Sequence, residues 1–453
     1  MKVLVTGATG FVGKKICRKL ILAGYQLVIS TRSKKRTEKD FPYPAEIIEW
    51  DYANQDFDAK HLEGVDSVIH LMGESIASGR WTSDRKERLY KSRIESTNKI
   101  VKAIHQSPSV KSFLAASAVG YYPFSDQEGF DESAKPGDSF LANLCVDWEK
   151  ASENLPSKVR RCVFRLGMVL GHGGAMEKLE SLFSYGLTSP LGSGKQWMSW
   201  IAIEDLVDIF FKALTEESFH GVYNAVSPHP VRNKEFHKSL AKSFSRPLLP
   251  STPSFILKTV LGEMSQVVLG SQKVLPKRLL EQGFSFRRRT LEECFQHLYP
   301  HGAFTKVVEK DLFLEGHDLS IFDFFQDEKN LDQLTPDFLN FKVLGKNTPE
   351  IQEGTEIYYR LKLNGIPFRW KTLIRRWEPP YLFVDTQESG PYQVWDHTHT
   401  FEATDRGVMV SDKVYWKLPI PFISLPIAGF KVRSDVKKIF AFRKQKMEEL
   451  FGR

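Results

Sequence analysis

The sequence predicts two folded parts: a doubly wound α/β sheet of parallel strands with a helical tail, and an α+β domain after it. Three observations predict this fold class. Apolar strands alternate with helical segments up to about residue 230, strands with a two-residue period follow one another after residue 302, and one helical pattern closes the chain. A chain of 453 residues is long enough for two or three domains.

The first part is predicted to comprise a sheet domain, residues 1–230, and its mainly helical extension, residues 231–300. Alternating strands and helices are typical of a parallel sheet covered by helices on both faces, because each parallel crossover needs a connecting helix. The strands are predicted at residues 3–6, 26–31, 67–71, 112–116, 161–166 and 222–225.

The second part, residues 301–453, begins after a Tyr-Pro-His-Gly segment at 299–302. Apolar side chains alternate with polar ones in residues 356–363, and Asn364-Gly365, a strong hairpin signal, follows directly. A curved antiparallel sheet around one C-terminal helix would enclose an apolar cavity. The remaining elements are predicted as strands at residues 368–376, 381–388, 393–403 and 407–417, and as a helix at residues 433–451.

Composition limits the class of protein. Apolar residues make up 42% and charged residues 26% of the chain, so both parts can form hydrophobic cores. The four cysteines are scattered without a metal-binding spacing, which is typical of free thiols in a reducing compartment, and we expect a cytoplasmic protein.

The net charge is +8, but acidic residues interrupt the basic ones, so we predict no nucleic-acid partner. The apolar stretch 418–430 contains three prolines and is too short to span a bilayer, so we expect no stable membrane insertion.

A glycine-rich loop connects the first strand to the first helix. Gly7 allows a tight turn, Gly10 lets the backbone approach a pyrophosphate, and Gly13 lets the helix pack close to the sheet. The free N–H groups and the partial positive charge of the helix N-terminus add to phosphate binding. A purely structural turn is the alternative, but the position in the first strand–helix unit favours a dinucleotide.

The residues after the second strand indicate which dinucleotide binds. An NAD site has Asp or Glu there to bind the ribose hydroxyls, whereas this chain has Thr31 and Arg32, followed by further basic residues. A guanidinium with hydroxyl groups nearby suits a 2′-phosphate. We therefore predict NADP(H) as the cofactor, and a solvated basic loop is the alternative.

One arginine lies within an apolar helix face. Residues 83–105 have a helical pattern, and Arg93 is four residues from both Leu89 and Thr97 on the face that is expected to meet the core. A buried charge needs a partner, because an unpaired one is costly. The partner is either an internal carboxylate such as Glu74 or the cofactor, and periodicity favours neither.

Several motifs, in order along the chain, resemble those of one family. They are the glycine loop, HLMGESI at 70–76, GRW at 79–81, SR at 92–93, SAVGYY at 117–122, FLA at 140–142, WE at 148–149 and PLGSG at 190–194. Over about residues 1–298 the chain resembles the epimerase-family branch of atypical extended short-chain dehydrogenases/reductases. The resemblance implies a Rossmann-like fold that binds NADP(H), and it makes the cofactor the expected partner of Arg93. By position, it implies cofactor contacts from Gly7, Thr9, Gly10, Phe11, Val12, Gly13, Thr31, Arg32, Leu71, Met72, Gly73, Glu74, Arg93 and Leu166.

The same resemblance leaves the catalytic residues as a separate question. Short-chain dehydrogenases generally use a Ser, a Tyr that passes the proton while hydride moves, and a Lys four residues after the Tyr. Ser117 is at the position of the Ser, but the Tyr and Lys positions fall on Leu141 and Cys145. Tyr121 and Tyr122 follow Ser117 and are either replacement proton donors or packed aromatic residues.

The second part resembles the START-like, polyketide-cyclase (SRPBCC) superfamily in the order of its elements and in its aromatic content. The resemblance implies an α+β helix-grip fold that holds an apolar ligand between the sheet and the helix. His397 and His399 alternate on one strand face, but no third ligand is evident in the sequence. We therefore interpret them as surface histidines and predict no metal site.

Together these features predict an NADP(H)-dependent oxidoreductase or nucleotide-sugar-epimerase-like enzyme for a small-molecule substrate, with a second domain that binds an apolar ligand or substrate. The residues at positions 141 and 145 support the alternative, a non-catalytic protein that senses NADP(H) and a lipid-like ligand. A lipid carrier whose first domain is only a scaffold is a third interpretation.

Overall fold

The computed structural model of the protein describes residues 1–331, 333–363 and 366–452. Two compact units are present, of which the first comprises residues 1–21, 25–41 and 45–303, and the second residues 22–24, 42–44 and 304–453. Each unit has its own seven-stranded sheet. Among the described residues, no helix combines the length and the apolar content that crossing a membrane requires.

The first unit contains thirteen strands. In chain order they are β1 (Lys2–Thr6), β2 (Gln26–Thr31), β3 (Glu46–Glu49), β4 (Ser67–His70), β5 (Ser112–Ala118), β6 (Gly129–Phe130), β7 (Arg160–Leu166), β8 (Met168–Leu170), β9 (Trp197–Met198), β10 (Trp200–Ala202), β11 (Gly221–Ala225), β12 (Val231–Arg232) and β13 (Lys273–Val274). Seven of them form one sheet in the order β11-β7-β5-β4-β1-β2-β3, and every neighbouring pair in it is parallel. The parallel Rossmann-like sheet predicted for this part is therefore confirmed.

The strand order reverses between β1 and β4. In open α/β sheets a ligand crevice forms at such a reversal, outside the carboxyl ends of the strands. The strand prediction misses β3, because this edge strand has only 4 residues and buries only Ile48. The other short strands pair outside the main sheet, as β10 with β8, β12 with β9, and β13 with β6.

Helices cover this sheet and make up most of residues 233–298. They are α1 (Phe11–Leu22), α2 (Lys34–Asp40), α3 (Ser83–His105), α4 (Phe140–Lys150), α5 (Gly174–Ser184), α6 (Ile203–Thr215), α7 (Asn233–Ser243), α8 (Ser254–Leu261), α9 (Ser265–Leu269), α10 (Lys277–Glu281) and α11 (Leu291–Leu298). Single 3₁₀ turns occupy Ala59–Leu62, Val119–Tyr121 and Gly262–Met264. The longest of these helices, α3, begins after Thr82, whose hydroxyl accepts a hydrogen bond from the Arg85 N–H at 3.2 Å.

The core of the first unit joins its sheet to α3. Leu4 and Val68 of adjacent strands are fully buried and belong to one cluster with Ile100 and Ile104 of α3. Each such side chain contributes about 1.5–3 kcal/mol when it leaves water. This packing fixes the carboxyl ends of β1 and β4 at the crevice.

The second unit is an antiparallel sheet with one long helix. Its strands are β14 (Lys306–Glu315), β15 (Lys342–Lys346), β16 (Glu356–Leu363), β17 (Ile366–Glu378), β18 (Leu382–Ser389), β19 (Val394–Thr404) and β20 (Gly407–Lys417), and the helix is α12 (Pro421–Phe451). The strand order is β14-β20-β19-β18-β17-β16-β15, with antiparallel pairs throughout. Three 3₁₀ segments, Leu319–Gln326, Glu328–Leu331 and Asp337–Leu339, lie between β14 and β15. The antiparallel meander predicted for this part is confirmed, while the Asn364-Gly365 turn lies outside the described residues.

Three features of this unit differ from the sequence prediction. Strand β14 was not predicted, because the charged residues 309–311 interrupt its alternation, and β15 was not predicted, because it is short and shifts register between Val343 and Gly345. The final helix begins at Pro421 rather than near residue 433. Proline is tolerated there, since the first helical residues have no N–H bond within the helix.

Helix α12 packs on the sheet through two apolar contacts. Val436 and Phe440 belong to one buried cluster with Val414 and Trp416 of β20. Met447, nearer the end of the helix, joins a second cluster that includes residues of β14 and β18. These contacts place one face of α12 against the concave interior of the unit.

Candidate functional site

The glycine loop connects β1 to α1 at the crevice. Gly7 has a φ of +69°, which favours glycine, and a Cβ there would lie 3.0 Å from the Leu71 carbonyl. The Gly10 N–H donates to the Gly7 carbonyl at 3.0 Å and closes the turn. A Cβ on Gly13 would lie 2.8 Å from Ala8 Cα, so the close packing of α1 on the loop requires glycine. The tight loop leaves the N-terminus of α1 at the crevice.

A buried histidine holds the neighbouring strand end. His70 is hydrogen-bonded to Thr6 Oγ1 at 2.8 Å and to Thr97 Oγ1 at 3.0 Å. Burial lowers the pKa of His70 to about 3, so the ring is neutral near pH 7. The Leu71 N–H donates to Thr6 Oγ1 at 3.2 Å. These bonds hold the start of the segment 71–74 in place. All four residues of this segment are predicted to contact the cofactor.

The end of β2 carries the residues predicted to select the dinucleotide. Thr31 Oγ1 is 2.8 Å from Thr37 Oγ1 and accepts a hydrogen bond from the Ser33 N–H at 3.3 Å. Arg32 is exposed, and within the described part of the chain its guanidinium has neither a hydrogen bond nor an ion pair. A cation therefore stands where an NAD site would have a carboxylate.

Arg93 is buried, as its helical position predicted, with 6% of its surface exposed. It donates to the Leu89 carbonyl at 3.1 Å and to the Glu74 carbonyl at 2.9 Å. The Glu74 carboxylate pairs with Arg85 instead, so it is not the partner of Arg93. Burial lowers the pKa of Arg93, and a Cβ on Gly73 would lie 3.0 Å from its Cζ. The structure thus holds a positive charge directly against residues 71–74.

Ser117 belongs to a buried network that the sequence prediction missed. Its Oγ donates to Glu149 Oε1 at 2.7 Å. Arg165 donates to both oxygens of Glu149, from Nε and from Nη2, at 2.8 Å each. The signal for this pair was Arg165 itself, because a charged residue inside an apolar strand of a parallel sheet needs a partner. The partner could not be identified from sequence, since it lies on a different element.

The two candidate tyrosines have different environments. Tyr122 is fully buried, donates to Asn224 Oδ1 at 2.7 Å and accepts from Arg165 Nη1 at 2.8 Å. Burial raises the pKa of Tyr122 to about 12. Tyr121 is half-buried, and the Arg165 Cζ lies 3.3 Å from the centre of its ring. Only Tyr121 retains an accessible surface.

Leu141 and Cys145 are both buried on α4 and face the 3₁₀ turn that holds Tyr121. A Cβ on Gly120 would lie 3.3 Å from Leu141 Cβ and 3.9 Å from Cys145 Sγ. Burial raises the pKa of the Cys145 thiol to about 12, so no charged group stands at this position near pH 7.

One apolar cluster joins several of the predicted site residues. Leu141 packs there with Trp81, and Leu71, Leu166 and Met264 pack against them. Met264 comes from the helical extension, so the extension contributes to the wall of the site. The structure therefore brings the ends of β4 and β7 together with α4, close to Ser117. Thr31 and Arg32 lie at the end of β2.

The second unit contains a cavity of about 190 Å³. Its lining is mainly aromatic and aliphatic, and includes Tyr359, Trp370, Ile374, Trp377, Phe383 and Phe440.

The prediction that His397 and His399 are surface residues is wrong. They are 7% and 3% exposed, and they line the cavity together with Asp385. The strand alternation correctly placed them on one face, but that face is covered by α12, whose Arg443 lies 3.1 Å from His399 Nδ1. Asp385 supplies the third candidate ligand that the sequence did not reveal.

Comparisons with known proteins agree with the fold of the first unit. Residues 3–225 match the NAD dependent epimerase/dehydratase family, and residues 252–298 match a domain of unknown function, DUF1731. The chloroplastic SDR39U1 homolog of Arabidopsis thaliana, an epimerase family protein, is 38% identical over 303 residues, which make up 65% of this chain and 86% of the relative. The epimerase family protein YfhF of Bacillus subtilis is 33% identical over 302 residues, 66% of this chain and 98% of the relative.

A solved structure extends the comparison. The human epimerase family protein SDR39U1 (isoform 2), crystallised with NADPH, matches with a TM-score of 0.60 and 32% identity. The match covers 66% of this chain and 100% of the human one. The predicted cofactor, NADP(H), agrees with the NADPH in that structure. The chain belongs to the epimerase family.

Proposed function

We propose that the first unit binds NADP(H) and that the protein is an NADP(H)-dependent oxidoreductase or epimerase-like enzyme for a small-molecule substrate. One observation carries the proposal: a glycine loop lies at the reversal of strand order, and the adjacent strand ends just before Arg32, whose guanidinium has no ion-pair partner among the described residues. Membership in the epimerase family and the NADPH of the human relative support it.

The residues at the crevice fit the parts of this cofactor. Glycines at positions 7 and 10 leave room for a pyrophosphate, and the N–H groups at the start of α1 suit its charge. Thr31 and Arg32 suit the 2′-phosphate. Arg93 adds a positive charge beside residues 71–74. When bound, NADP(H) supplies the hydride chemistry.

Tyr121, rather than Tyr122, is the residue that exchanges a proton with the substrate in this proposal. The hydroxyl of Tyr122 is buried and bonded on both sides, to Asn224 and to Arg165. Tyr121 has an accessible surface, and Arg165 lies against its ring. Ser117 is oriented by its hydrogen bond to Glu149, which leaves the lone pairs of Ser117 Oγ as acceptors.

A second candidate function is a sensor that binds NADP(H) without turnover. The observation that favours it is the buried, uncharged Cys145, together with Leu141, where short-chain dehydrogenases generally have Lys and Tyr. A neutral thiol cannot supply the positive charge that the usual lysine supplies.

Calorimetric titration of the full-length protein with NADPH and NADH tests the cofactor. We expect NADPH to bind at least about tenfold more tightly, because a charge-assisted contact contributes about 1.5–3 kcal/mol. Equal affinities would contradict the assignment of Arg32.

Deuteride transfer from 4-deuterated NADPH to a panel of small carbonyl compounds tests turnover. We expect Tyr121→Phe to abolish transfer and to leave NADPH affinity unchanged. Tyr122→Phe is the matched control and should retain transfer. NADPH binding without transfer to any compound would favour the sensor.

We also propose that the second unit has a helix-grip arrangement and binds an apolar ligand in its cavity. The aromatic lining and the packing of α12 on the sheet support this proposal. 8-Anilinonaphthalene-1-sulfonate, an anionic dye that fluoresces in apolar cavities, should show saturable binding to the full-length protein. Ile374→Trp, which fills the cavity, should abolish this binding. Ile366→Trp, at a position 59% exposed, is the control. Equal probe binding by both variants would refute the assignment.

A further inference from the structure

We propose that Asp385, His397 and His399 bind a divalent first-row transition-metal ion at the cavity of the second unit. The inference is independent of the dinucleotide site, because it rests only on residues of β18, β19, β20 and α12.

The backbone register brings the three side chains together. Asp385 of β18 is paired directly with His397 of β19, and His399 lies two residues further along the same face. Asp385 Oδ2 is 2.9 Å from His399 Nε2 and 3.6 Å from His397 Nδ1. The three candidate ligand atoms all lie within 4.8 Å of one another. Ligands at about 2.0–2.2 Å from a zinc-sized ion have separations of this order.

The opposite nitrogens of the two rings share a single carboxylate. Asp412 Oδ1 is 3.0 Å from His397 Nε2 and 2.8 Å from His399 Nδ1. Metal-binding histidines typically donate their second ring N–H to a carboxylate, which fixes the tautomer and the orientation of the ring. Arg443 Nε is 3.1 Å from Asp412 Oδ2 and balances its charge. Asp412 therefore orients each ring through one of its nitrogens, and the other nitrogen of each ring points toward Asp385.

Hydrogen-bond counting distinguishes a metal-binding arrangement of these side chains from a metal-free one. If both rings donate to Asp412, then His397 Nδ1 and His399 Nε2 are lone pairs that face the Asp385 carboxylate. Three converging acceptors are unfavourable in a buried site unless a proton or a metal ion lies between them. In the metal-free alternative the same positions are joined by hydrogen bonds alone: Arg443 Nη2 donates to His399 Nδ1 at 3.1 Å, and His399 Nε2 donates to Asp385 at 2.9 Å.

The ligand set indicates the class of ion. Two imidazoles and one carboxylate suit Zn²⁺, Fe²⁺ or their neighbours, whereas Mg²⁺ and Ca²⁺ prefer oxygen ligands alone. Asp385, His397 and His399 all line the cavity. Three protein ligands leave at least one coordination position for water or for an oxygen atom of a cavity ligand.

Metal uptake by the full-length protein tests the proposal. The protein is stripped with a chelator, and Co²⁺ is added while the visible absorption is recorded. Zn²⁺ is then added as competitor. We expect one Co²⁺ per chain, displaced by one Zn²⁺. An absence of saturable uptake by the native protein would overturn the proposal.

Variants assign the site. Asp385→Asn and His397→Gln should each weaken Co²⁺ binding by at least about 100-fold, while Asp412→Asn should weaken it by about 10–100-fold through the orientation of the rings. His220→Gln, at an exposed histidine of the first unit, is the control and should have no effect. Circular dichroism and the melting temperature show whether each variant is folded. Unchanged Co²⁺ binding in Asp385→Asn and His397→Gln would also overturn the assignment.

Discussion

Glu149→Gln is expected to destabilise the first unit strongly, although the change replaces one oxygen by nitrogen. The Glu149 and Arg165 side chains are 8% and 4% exposed, and two hydrogen bonds of 2.8 Å join them. The variant leaves the Arg165 charge buried without an anion. It also removes one carboxylate oxygen. Glu149 Oε1 accepts from both Ser117 Oγ and Arg165 Nε, and Arg165 Nη2 donates to Oε2, so glutamine has too few acceptors for these donors.

The size of the effect follows from burial. Removing one partner of a buried ion pair costs about 3–5 kcal/mol, because the remaining charge stays desolvated. The matched control is Glu46→Gln. Glu46 pairs with Lys2, and these side chains are 53% and 27% exposed, so its loss should cost about 0–1 kcal/mol. The two substitutions are chemically identical and differ only in burial.

Urea unfolding, with NADPH binding as the marker of the first unit, measures both variants. The double variant Glu149→Leu with Arg165→Met removes both charges and should be at least about 1 kcal/mol more stable than Glu149→Gln. A loss below about 1 kcal/mol for Glu149→Gln, or a double variant that is no more stable, would refute the reasoning.

Three further predictions concern the cofactor crevice. Arg32→Ala should weaken NADPH by about 10–100-fold in calorimetry and leave NADH unchanged, whereas an equal loss for both would exclude a role at the 2′-phosphate. Gly10→Val should abolish NADPH binding, because its side chain would occupy the place of the pyrophosphate, and normal binding would show that the phosphates lie elsewhere. Gly10 is exposed, so the variant should still fold. The pKa of His70 falls from 6.5 to about 3 on folding, so its contribution to stability is complete above pH 6.5 and is lost as pH falls toward 3. His70→Asn should therefore reduce the pH dependence of the free energy of unfolding by up to about 1.4 kcal/mol per pH unit in this range, and an unchanged slope would show that His70 is not buried neutral.

The sequence predicted the first unit well, because its signals are local. The glycine loop, the period of α3 and the position of Arg93 all depend on residues close in the chain. The Glu149–Arg165 pair could not be predicted, since it joins α4 to β7. The strand β3 was missed for a different reason: an edge strand buries too few side chains to show a pattern.

In the second unit, the sequence predicted which residues share a face but not what covers that face. The two-residue period places His397 and His399 together, and the same period would hold on a solvated sheet. Helix α12 buries this face. The helix begins at Pro421, twelve residues before residue 433, where the sequence prediction placed its start. Asp385 and Asp412 lie on neighbouring strands, and only the register of β18, β19 and β20 shows that they meet the histidines.

The positive charge near Tyr121 belongs to a buried ion pair rather than to a lysine. Arg165 of β7 is the cation that lies against Tyr121, with its Cζ 3.3 Å from the centre of the ring, while the α4 position of the usual lysine holds Cys145. Glu149, one turn after Cys145, binds Arg165 with both oxygens, so the pair acts as a dipole rather than as a net charge. The field of a dipole falls faster with distance than that of an isolated ammonium. The Glu149–Arg165 pair therefore does not reproduce the net positive charge of the usual lysine, and the deuteride-transfer experiment decides between the enzyme and the sensor.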